Sequence, residues 1–564
     1  MNTNPNAEKS VVTTDQPLRV DRKAAVVGLV LLVLMGGIYI AKIYPDVKRG
    51  DSAEIQFMTV LLGVCHPPGY GLQVMAGNLF SRLPLGNDAA WRLNLMMAVC
   101  GAIGVATLYW IVHRMTGRIV PAIAAALTLA FSITWWMHCE VTEVYVFHAM
   151  FLLLGIGAAL RYLATDRTRW LFLMALLLGV CIGSRLSELS VLPAFVVLWW
   201  GSRRKVRLSW VRLVAAGAVA VIPFMLNVAF FLWRENPGFL HARDDALRDE
   251  ILQQGPPVTA LSSSERLKEA VMYSLGLRGA GRKTFTELSW WRIGWDLNKY
   301  GWQLSGLAAG GDRFPADAQA RDRVIEFRQR EQGSGTSITV LGAVLALAGL
   351  RHWRRHKHVL LFGILLFFGN SLYYLYMHPV DNLQFTLPGL IGLALLIGWG
   401  LTPRASDTAD SRKNTDHGDK RRLWPTRLLY ATGFIPPIFL FATNLAVLDY
   451  RKPEMIESMA LAKKIMAVPL PPKPVIVATY PRAQRLRFLY WVEAGRRDVA
   501  VIVFREQYEP AEARRLAEGL RAQGYTVLFS AEVIGKVETQ RVFAQWTPRQ
   551  LVELGLFFPY PSTR

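Results

Sequence analysis

GDSAEIQFMTVLLGVCHPPGYGLQVMAGNLFSRLPLGNDAAWRLN stands at residues 50–94, directly after the first long apolar run of the chain. The stretch therefore begins at a membrane surface. Its first acids, Asp51 and Glu54, are three residues apart and share a face if the segment is helical. A rigid HPPGY turn follows, and Arg92 and Asn94 close the stretch at the start of the next apolar run. Acids, an imidazole and a guanidinium at a bilayer surface indicate a reaction site.

The composition indicates a polytopic membrane protein. The 564 residues are 52% hydrophobic and 19% charged, with a mean hydropathy of +0.24. Repeated apolar runs of about 20 residues suit a hydrocarbon core roughly 30 Å thick. The formal net charge of +22 does not indicate nucleic-acid binding, because Lys and Arg collect in alternate loops between the apolar runs. The sequence thus predicts a lipid bilayer as the surroundings and no nucleic-acid partner.

The apolar runs predict a mainly α-helical bundle of about eleven membrane spans. The first run, at 24–43, is interpreted as a signal anchor, because it is too long for a signal-peptide core and lacks a convincing cleavage site. The further spans are predicted near 94–112, 119–137, 144–162, 170–184, 187–200, 209–233, 337–350, 359–377, 384–401 and 426–447. The runs at 170–184 and 187–200 are short and could be half-helices, which would change the number of spans.

The chain is predicted to have three parts. Residues 1–23 form a cytoplasmic tail, residues 24–449 the transmembrane domain, and residues 450–564 a soluble extracytoplasmic α/β domain. The transmembrane domain carries outer loops at 44–92 and 234–336. The predicted strands of the soluble domain are PVIVAT at 474–479, DVAVIVF at 498–504 and YTVLFS at 525–530. Helical segments between them indicate a partly parallel sheet, and no GxGxxG or Walker loop supports nucleotide binding.

The distribution of basic residues predicts which loops face outwards. By the positive-inside rule the N-terminus lies in the cytoplasm and the C-terminus outside, in what is predicted to be a bacterial plasma membrane. Four predicted outer segments then meet on one side of the bundle, at 44–92, 138–143, 184–188 and 378–385. The predicted site is built from these four segments.

The acids of the first outer loop are the predicted catalytic residues. An ionised carboxylate beside an apolar span is costly unless it is solvated or paired, so it tends to mark function. A carboxylate within hydrogen-bond reach of an acceptor hydroxyl can act as a general base. The structural alternative for Asp51 is a helix N-cap, since Asp satisfies free backbone N–H groups there. From the spacing of Asp51 and Glu54 alone the two interpretations are equally supported.

The HPPGY turn is predicted to hold His66 and Tyr70 as substrate-binding side chains. Two prolines with fixed φ angles, followed by a permissive glycine, give a stiff turn that can present an imidazole and a phenol at a fixed place. The structural alternative is a plain helix break at the surface.

Charged and polar residues at the outer helix ends complete the predicted substrate-binding set. Arg185 is the basic residue of the short outer loops, and its guanidinium could bind a lipid phosphate bidentately. An ion pair with Glu188 is an equally supported alternative. The other members of the set are Arg92, Asn94, His138, Glu140, Glu143, His378 and Asp381. His138, Glu140 and Glu143 could together bind a divalent metal, but no spacing among these residues supports a metal site, and no cofactor is predicted.

The four cysteines are scattered singly, with none in the soluble domain. A bridge between Cys65 and Cys139 is conceivable because both are predicted on the same side of the membrane. The absence of a disulfide framework favours buried thiols instead.

At these residues the sequence resembles a known family. GDSAEIQ, then LGVCHPPGYGL, then LPLGNDAAWRLNLMMAVCGAIGVATLY are similar to the N-terminal signature of a membrane protein family formerly classed as a domain of unknown function. Its animal members are protein O-mannosyltransferases of the endoplasmic reticulum. The resemblance is strong over about residues 26–200 and weaker through the later spans.

The resemblance implies a GT-C glycosyltransferase fold with its active site just outside the bilayer. It also implies transfer, with inversion, of a sugar linked to a polyprenyl phosphate. By this resemblance Asp51 matches the catalytic base and Glu54 the second acid of the motif, and residues 66–70 match its HPPGY. The chain departs from the family at Ala53, where glycine is usual, and at Gly71, where proline is usual.

Three functions are compatible with this pattern. The leading hypothesis is an extracytoplasmic glycosyltransferase with a polyprenyl-phosphate sugar as donor and a protein or cell-envelope glycan as acceptor. A lipid-linked glycan transporter or flippase would favour internal repeats and mid-membrane charges, which the sequence does not display. An envelope assembly protein with the helical bundle as an anchor would leave the clustered polar loops unexplained.

Overall fold

The computed structural model describes residues 21–48, 50–183, 185–202, 206, 208–234, 240–252, 262–277, 337–377, 386–403, 424–448, 470, 472–504 and 510–529. Within these ranges the chain is mainly helical, which confirms the predicted fold class. The helices that precede the C-terminal sheet are α1 (Arg22–Lys42), α2 (Asp51–Leu61), α3 (Gly71–Ser81), α4 (Ala89–Thr116), α5 (Ile119–Ala130), α6 (Ile133–Cys139), α7 (Tyr145–Thr165), α8 (Thr168–Gly183), α9 (Leu192–Ser202), α10 (Trp210–Arg234), α11 (Leu240–Leu252), α12 (Ser263–Ser274), α13 (Val340–Gly349), α14 (Trp353–Met377), α15 (Leu387–Gly400) and α16 (Trp424–Val447).

Several of these helices can cross a membrane. Among the described residues, five helices are long and apolar enough by length and composition: α1, α4, α7, α10 and most of α16. The bent pair of α5 and α6 would make a sixth. Each predicted span coincides with a helix or a bent helix pair, but α8, α9, α13 and α15 are shorter than a full crossing. The chain is therefore a multi-pass membrane protein, and the number of eleven spans stays a prediction.

The bundle is organised around α4, which packs against α1, α5 and α7. Its neighbours bring a continuous apolar core together, and some of the polar groups inside that core are paired. The Tyr39 hydroxyl, for example, donates to the carbonyl of Ala130 at 2.9 Å. The axis bends by 68° between α5 and α6, where Phe131 and Ser132 interrupt the helix. Asn444 of α16 donates to the freed Phe131 carbonyl at 2.7 Å, so the break leaves this buried oxygen satisfied.

The C-terminal unit contains three parallel strands at the predicted positions. They are β1 (Pro474–Thr479), β2 (Ala500–Phe504) and β3 (Thr526–Phe529), in the order β2-β1-β3. Every residue of β1 is buried, as expected for the central strand of a parallel sheet covered on both faces. Helix α17 (Tyr480–Arg487) follows β1 without a gap, and helix α18 (Pro510–Ala522) lies between β2 and β3.

The C-terminal unit packs against α2, the helix that carries the predicted catalytic acids. Phe57 of α2 and Trp491, which lies shortly after α17, meet edge to face with ring centroids 5.7 Å apart, and both are buried. The carboxylate of Asp244 in α11 accepts a 2.7 Å hydrogen bond from the backbone N–H of Val501 in β2. One apolar cluster therefore includes residues of α2, of α10 and of the C-terminal sheet.

Candidate active site

Two acids occupy the first turn of α2, at the centre of the predicted site. Gly50 precedes the helix with φ +76°, a conformation that favours glycine, and Asp51 is the first helical residue. Asp51 is exposed, whereas the side chain of Glu54 is buried. Negative charge at this position is favoured by the helix dipole. The sequence expectation that both acids share one helical segment is met.

Glu54 and His66 form a hydrogen-bonded pair, in which the Glu54 side chain is buried and the imidazole is half-buried. Glu54 Oε2 and His66 Nδ1 are 2.7 Å apart, and Glu54 Oε1 accepts the backbone N–H of His66 at 2.8 Å. Burial opposes the charge on Glu54, but the imidazole and the Tyr480 hydroxyl outweigh it and lower the pKa of Glu54 to about 2. Burial likewise opposes the charge on His66, and the Glu54 carboxylate outweighs it and raises the pKa of His66 to about 9. Both groups are therefore charged at neutral pH.

The Glu54–His66 pair should make stability depend on pH. The contribution of His66 is complete below its ordinary pKa of 6.5 and is lost as the pH rises through about 9. The contribution of Glu54 is complete above 4.5 and is lost as the pH falls through about 2. We expect Glu54→Gln to destabilise the protein by about 2 kcal/mol between these two ordinary pKa values. This figure lies below the range for a fully buried pair because the His66 side chain is 35% exposed.

The measurement is the apparent unfolding temperature of both proteins in detergent as a function of pH. The difference between wild type and Glu54→Gln should shrink as the pH rises towards 9. A difference that stays constant over this range would contradict the assigned ion pair.

Tyr480 joins the two acids from the other end of the chain. Its hydroxyl oxygen lies 2.9 Å from Asp51 Oδ1 and 2.7 Å from Glu54 Oε2. Burial and the two carboxylates raise the pKa of Tyr480 well above its ordinary value, so the phenol keeps its proton. Tyr480 was not among the residues predicted from the sequence. The one signal was its place directly after a buried strand, where parallel sheets carry binding groups.

The HPPGY turn is clamped by a residue of α10. The side chain of Asn227 donates to the carbonyl of Pro68 at 2.9 Å and accepts the backbone N–H of Gly71 at 2.6 Å. Gly69 adopts φ +90°, which suits glycine, and His66 and Tyr70 then meet with ring centroids 5.5 Å apart. The family usually has proline at position 71, and proline has no N–H to donate to Asn227. Glycine at this position therefore has a structural role.

Glu143 lies next to α2. Its carboxylate accepts a 2.6 Å hydrogen bond from the Ser52 hydroxyl, and its backbone carbonyl accepts the Gln73 amide at 3.1 Å. Burial, reinforced by the charge of Asp51, raises the pKa of Glu143 to about 7. Glu143 can therefore exchange a proton near neutral pH beside the exposed Asp51.

Arg185, Tyr145 and His138 form a second group of side chains. The Arg185 guanidinium lies 4.5 Å from the centroid of the Tyr145 ring, and the His138 ring lies 4.7 Å from the same centroid. Arg185 Nη1 is 3.9 Å from Glu188 Oε1, at the long limit of an ion pair. The ion pair with Glu188, which is the structural alternative for Arg185, is therefore present. The guanidinium also stacks on the Tyr145 ring.

Two of the predicted substrate-binding residues are held by the chain itself. Arg92 donates to the carbonyls of Ser81 and Asn87 at 2.7 Å each, so it closes the turn between α3 and α4. Asn94 is fully buried and bonds Tyr44, Gln56 and Thr142. A direct contact between either residue and a substrate stays a prediction.

The remaining predicted residues are either buried or not described. Glu140 is fully buried, and its backbone carbonyl accepts the N–H of Tyr44 at 3.0 Å. His378 and Asp381 lie outside the described residues.

His148, which was not predicted from the sequence, is buried with its ring 6.2 Å from that of Tyr70. All four cysteines are free and buried, as the scattered spacing favoured.

The acids of α2 and His66 also have the spacing of a cation site. Asp51, Glu54 and His66 each offer one ligand atom, and these atoms lie within 4.8 Å of one another. Carboxylate and imidazole are ligands that several divalent metals accept. Glu54 Oε2 and His66 Nδ1 already bond each other, so a cation would have to replace that pair. The sequence predicts no metal. That expectation stays a prediction.

Residues 51–208 match the family model described as the Protein O-mannosyl-transferase TMEM260 N-terminal domain. The resemblance predicted from the sequence is confirmed. The match includes most of the site, from the acids of α2 through Arg185 and Glu188. The C-terminal unit that supplies Tyr480 lies outside the matched O-mannosyltransferase segment.

Relatives and solved structures resemble the chain to different extents. The protein O-mannosyl-transferase tmem260 of Dictyostelium discoideum is 30% identical over 149 residues, 25% of this chain and 18% of that protein. The protein O-mannosyl-transferase TMEM260 of Mus musculus is 32% identical over 113 residues, 20% of this chain and 16% of that protein. The chain thus matches less than a fifth of the length of these relatives. A crystal structure of ArnT from Cupriavidus metallidurans bound to undecaprenyl phosphate is 14% identical, covers 92% of this chain and 91% of that chain, and has a TM-score of 0.46.

Proposed function

We propose that this protein is a membrane glycosyltransferase that moves a sugar from a polyprenyl-phosphate donor to an acceptor hydroxyl. The observation that carries the proposal is the exposed Asp51 carboxylate at the start of α2, beside the hydrogen-bonded Glu54–His66 pair. A sugar phosphate already contains a good leaving group. Transfer therefore needs an activated hydroxyl and compensation of the phosphate charge, and it needs no nucleotide site.

Asp51 is the proposed general base. Tyr480 bonds one of its oxygens, Oδ1, which leaves Oδ2 for the proton of the acceptor hydroxyl. The hydroxyl oxygen then attacks the anomeric carbon as the bond to the phosphate breaks, and the sugar is transferred with inversion. Glu54 is less suited to this role, because both of its oxygens accept hydrogen bonds from His66 or Tyr480. Its proposed role is to hold the imidazole and the base in place.

Arg185 is the proposed partner of the leaving phosphate. A guanidinium compensates the charge that develops on the phosphate and can bind two of its oxygens at once. Stacking on Tyr145 fixes the plane of the guanidinium, and the contact to Glu188 is a long one, at 3.9 Å. His66, Tyr70 and His138 are proposed to line the same substrate path.

Sugar, acceptor and sidedness are parts of the same proposal. The relatives are named protein O-mannosyl-transferases, which supports mannose as the sugar and serine or threonine hydroxyls of a protein as acceptors. The basic loops on the other side of the bundle support an extracytoplasmic site in a bacterial plasma membrane. A glycan of the cell envelope is the other acceptor that fits the residues.

The test uses purified full-length protein in nanodiscs. Undecaprenyl phosphate mannose is supplied with a synthetic peptide rich in serine and threonine, and donor consumption and peptide mass are both followed. We expect consumption of the donor and a mannosylated peptide. Polyprenyl phosphates carrying glucose or an aminosugar serve as comparison donors. A protein that consumes none of these donors, with or without peptide, would contradict the proposed function.

A further inference from the structure

The C-terminal unit contacts the acids of α2. The proposed chemistry does not explain why this unit takes part in the site. Tyr480 lies 429 and 426 positions from Asp51 and Glu54, yet its hydroxyl bonds both carboxylates. Both acids lie inside residues 51–208, the segment that matches the O-mannosyltransferase family model, whereas Tyr480 lies outside it. The family match therefore gives no account of the contact that Tyr480 makes with the acids.

We propose that Tyr480 is a positioning residue for Asp51, so that the C-terminal α/β unit forms part of the active site. The inference rests on the proposed function, because it assigns Tyr480 a role in the same transfer reaction.

The first support is the chemistry of the contact. A phenol has one proton to donate, and here it lies between two carboxylate oxygens at 2.9 and 2.7 Å. A shared donor between two like charges reduces their repulsion and fixes their relative orientation. The Glu54 carboxylate is already held by His66. The additional constraint therefore falls mainly on Asp51, which is exposed and would otherwise choose freely among its rotamers.

The second support is the position of Tyr480 in the fold. It directly follows β1, the central strand of the sheet, and opens α17. Binding groups of parallel sheets gather at this carboxyl edge, beside the central strand where the strand order reverses. The contact of Phe57 with Trp491 and the bond from Val501 to Asp244 hold the same unit against α2 and α11. Tyr480 therefore sits on a rigid element and not on a free loop.

The experiment compares Tyr480→Phe with Tyr525→Phe in the full-length protein. Both variants lose one hydroxyl from the C-terminal unit, but Tyr525 packs against an apolar cluster that includes Val475 and Ile502, on the other face of the sheet. In the nanodisc assay with undecaprenyl phosphate mannose and the serine- and threonine-rich peptide, we expect Tyr480→Phe to lower kcat about tenfold. The KM for the donor should stay unchanged, because the phenol positions the base and does not bind the donor. Tyr525→Phe should match wild type.

Several outcomes would overturn the inference. Wild-type kcat in Tyr480→Phe would remove the positioning role, and a raised kcat would show that the phenol blocks the acceptor position. A raised donor KM with unchanged kcat would make Tyr480 a donor contact. Each of these results requires that wild type turns over the donor, so failure of the proposed function is visible separately as an inactive wild type.

A further variant distinguishes the hydrogen bonds from docking of the whole unit. Phe57→Leu weakens the contact with Trp491 while the Tyr480 phenol stays intact. We expect its kcat loss to be smaller than that of Tyr480→Phe. An equal or larger loss would show that docking matters and that the phenol does not position Asp51. Apparent unfolding temperatures of all variants identify any change that comes from misfolding.

Discussion

Asp51→Asn should abolish sugar transfer while the protein still folds and inserts into the membrane. Asparagine keeps the size of the side chain and can still accept the Tyr480 hydrogen bond, but it cannot take a proton from the acceptor hydroxyl. A positioned general base contributes about 10²–10⁴-fold to the rate, and we expect kcat to fall by this amount. The measurement is single-turnover transfer from undecaprenyl phosphate mannose to the serine- and threonine-rich peptide, with donor binding measured separately.

Asp166→Asn is the matched control for this experiment. Asp166 ends α7 in the left-handed conformation, which asparagine also adopts readily, and it pairs with Arg212 at the protein surface. Exposed pairs of this kind contribute less than about 1 kcal/mol, so the control should retain wild-type activity. Full activity in Asp51→Asn would refute the assignment of the base, whatever the control shows.

Asn94→Ala should cause the largest loss of stability among single changes near the site. Asn94 Oδ1 accepts the backbone N–H and the hydroxyl of Thr142 at 2.8 and 2.6 Å and the Gln56 amide at 3.1 Å. Its Nδ2 donates to the carbonyl of Tyr44 at 2.9 Å. Alanine would leave several buried polar groups unpaired, each at a cost of about 1–3 kcal/mol. We expect a total loss of about 3 kcal/mol or more.

The apparent unfolding temperature in detergent measures this effect. Asn87→Ala is the control, because Asn87 is exposed in the turn before α4 and its backbone, not its side chain, bonds Arg92. We expect the control to unfold like wild type. If Asn94→Ala is as stable as wild type but needs more donor for half-maximal rate, Asn94 faces the substrate as the sequence analysis predicted.

Much of the architecture follows from apolar periodicity. The predicted spans and the strands of the C-terminal unit coincide with helices and strands of the structure. Long apolar runs form few structures other than helices, and short buried β-branched runs form few structures other than strands. The break between α5 and α6 was not visible in the same pattern. Its freed carbonyl is satisfied by Asn444, more than three hundred positions away in sequence.

The site was predictable where its members are close in sequence. Asp51, Glu54 and His66 lie within sixteen residues, and their chemistry and spacing indicated one cluster before the structure placed them together. Tyr480 and Asn227 were not predictable, because only tertiary packing brings them to α2 and to the HPPGY turn. Burial separates residues that look alike in sequence, as with the exposed Asp51 and the fully buried Asn94.

The four free thiols offer a direct way to establish which side of the bilayer the proposed catalytic acids face. Cys65, Cys100, Cys139 and Cys181 are all sealed inside the protein, so a water-soluble maleimide has little access to them. A single cysteine introduced at an exposed position such as Asn87 would then react alone, without removal of the native thiols. Labelling of intact spheroplasts at that position would report the sidedness of the whole α2 region.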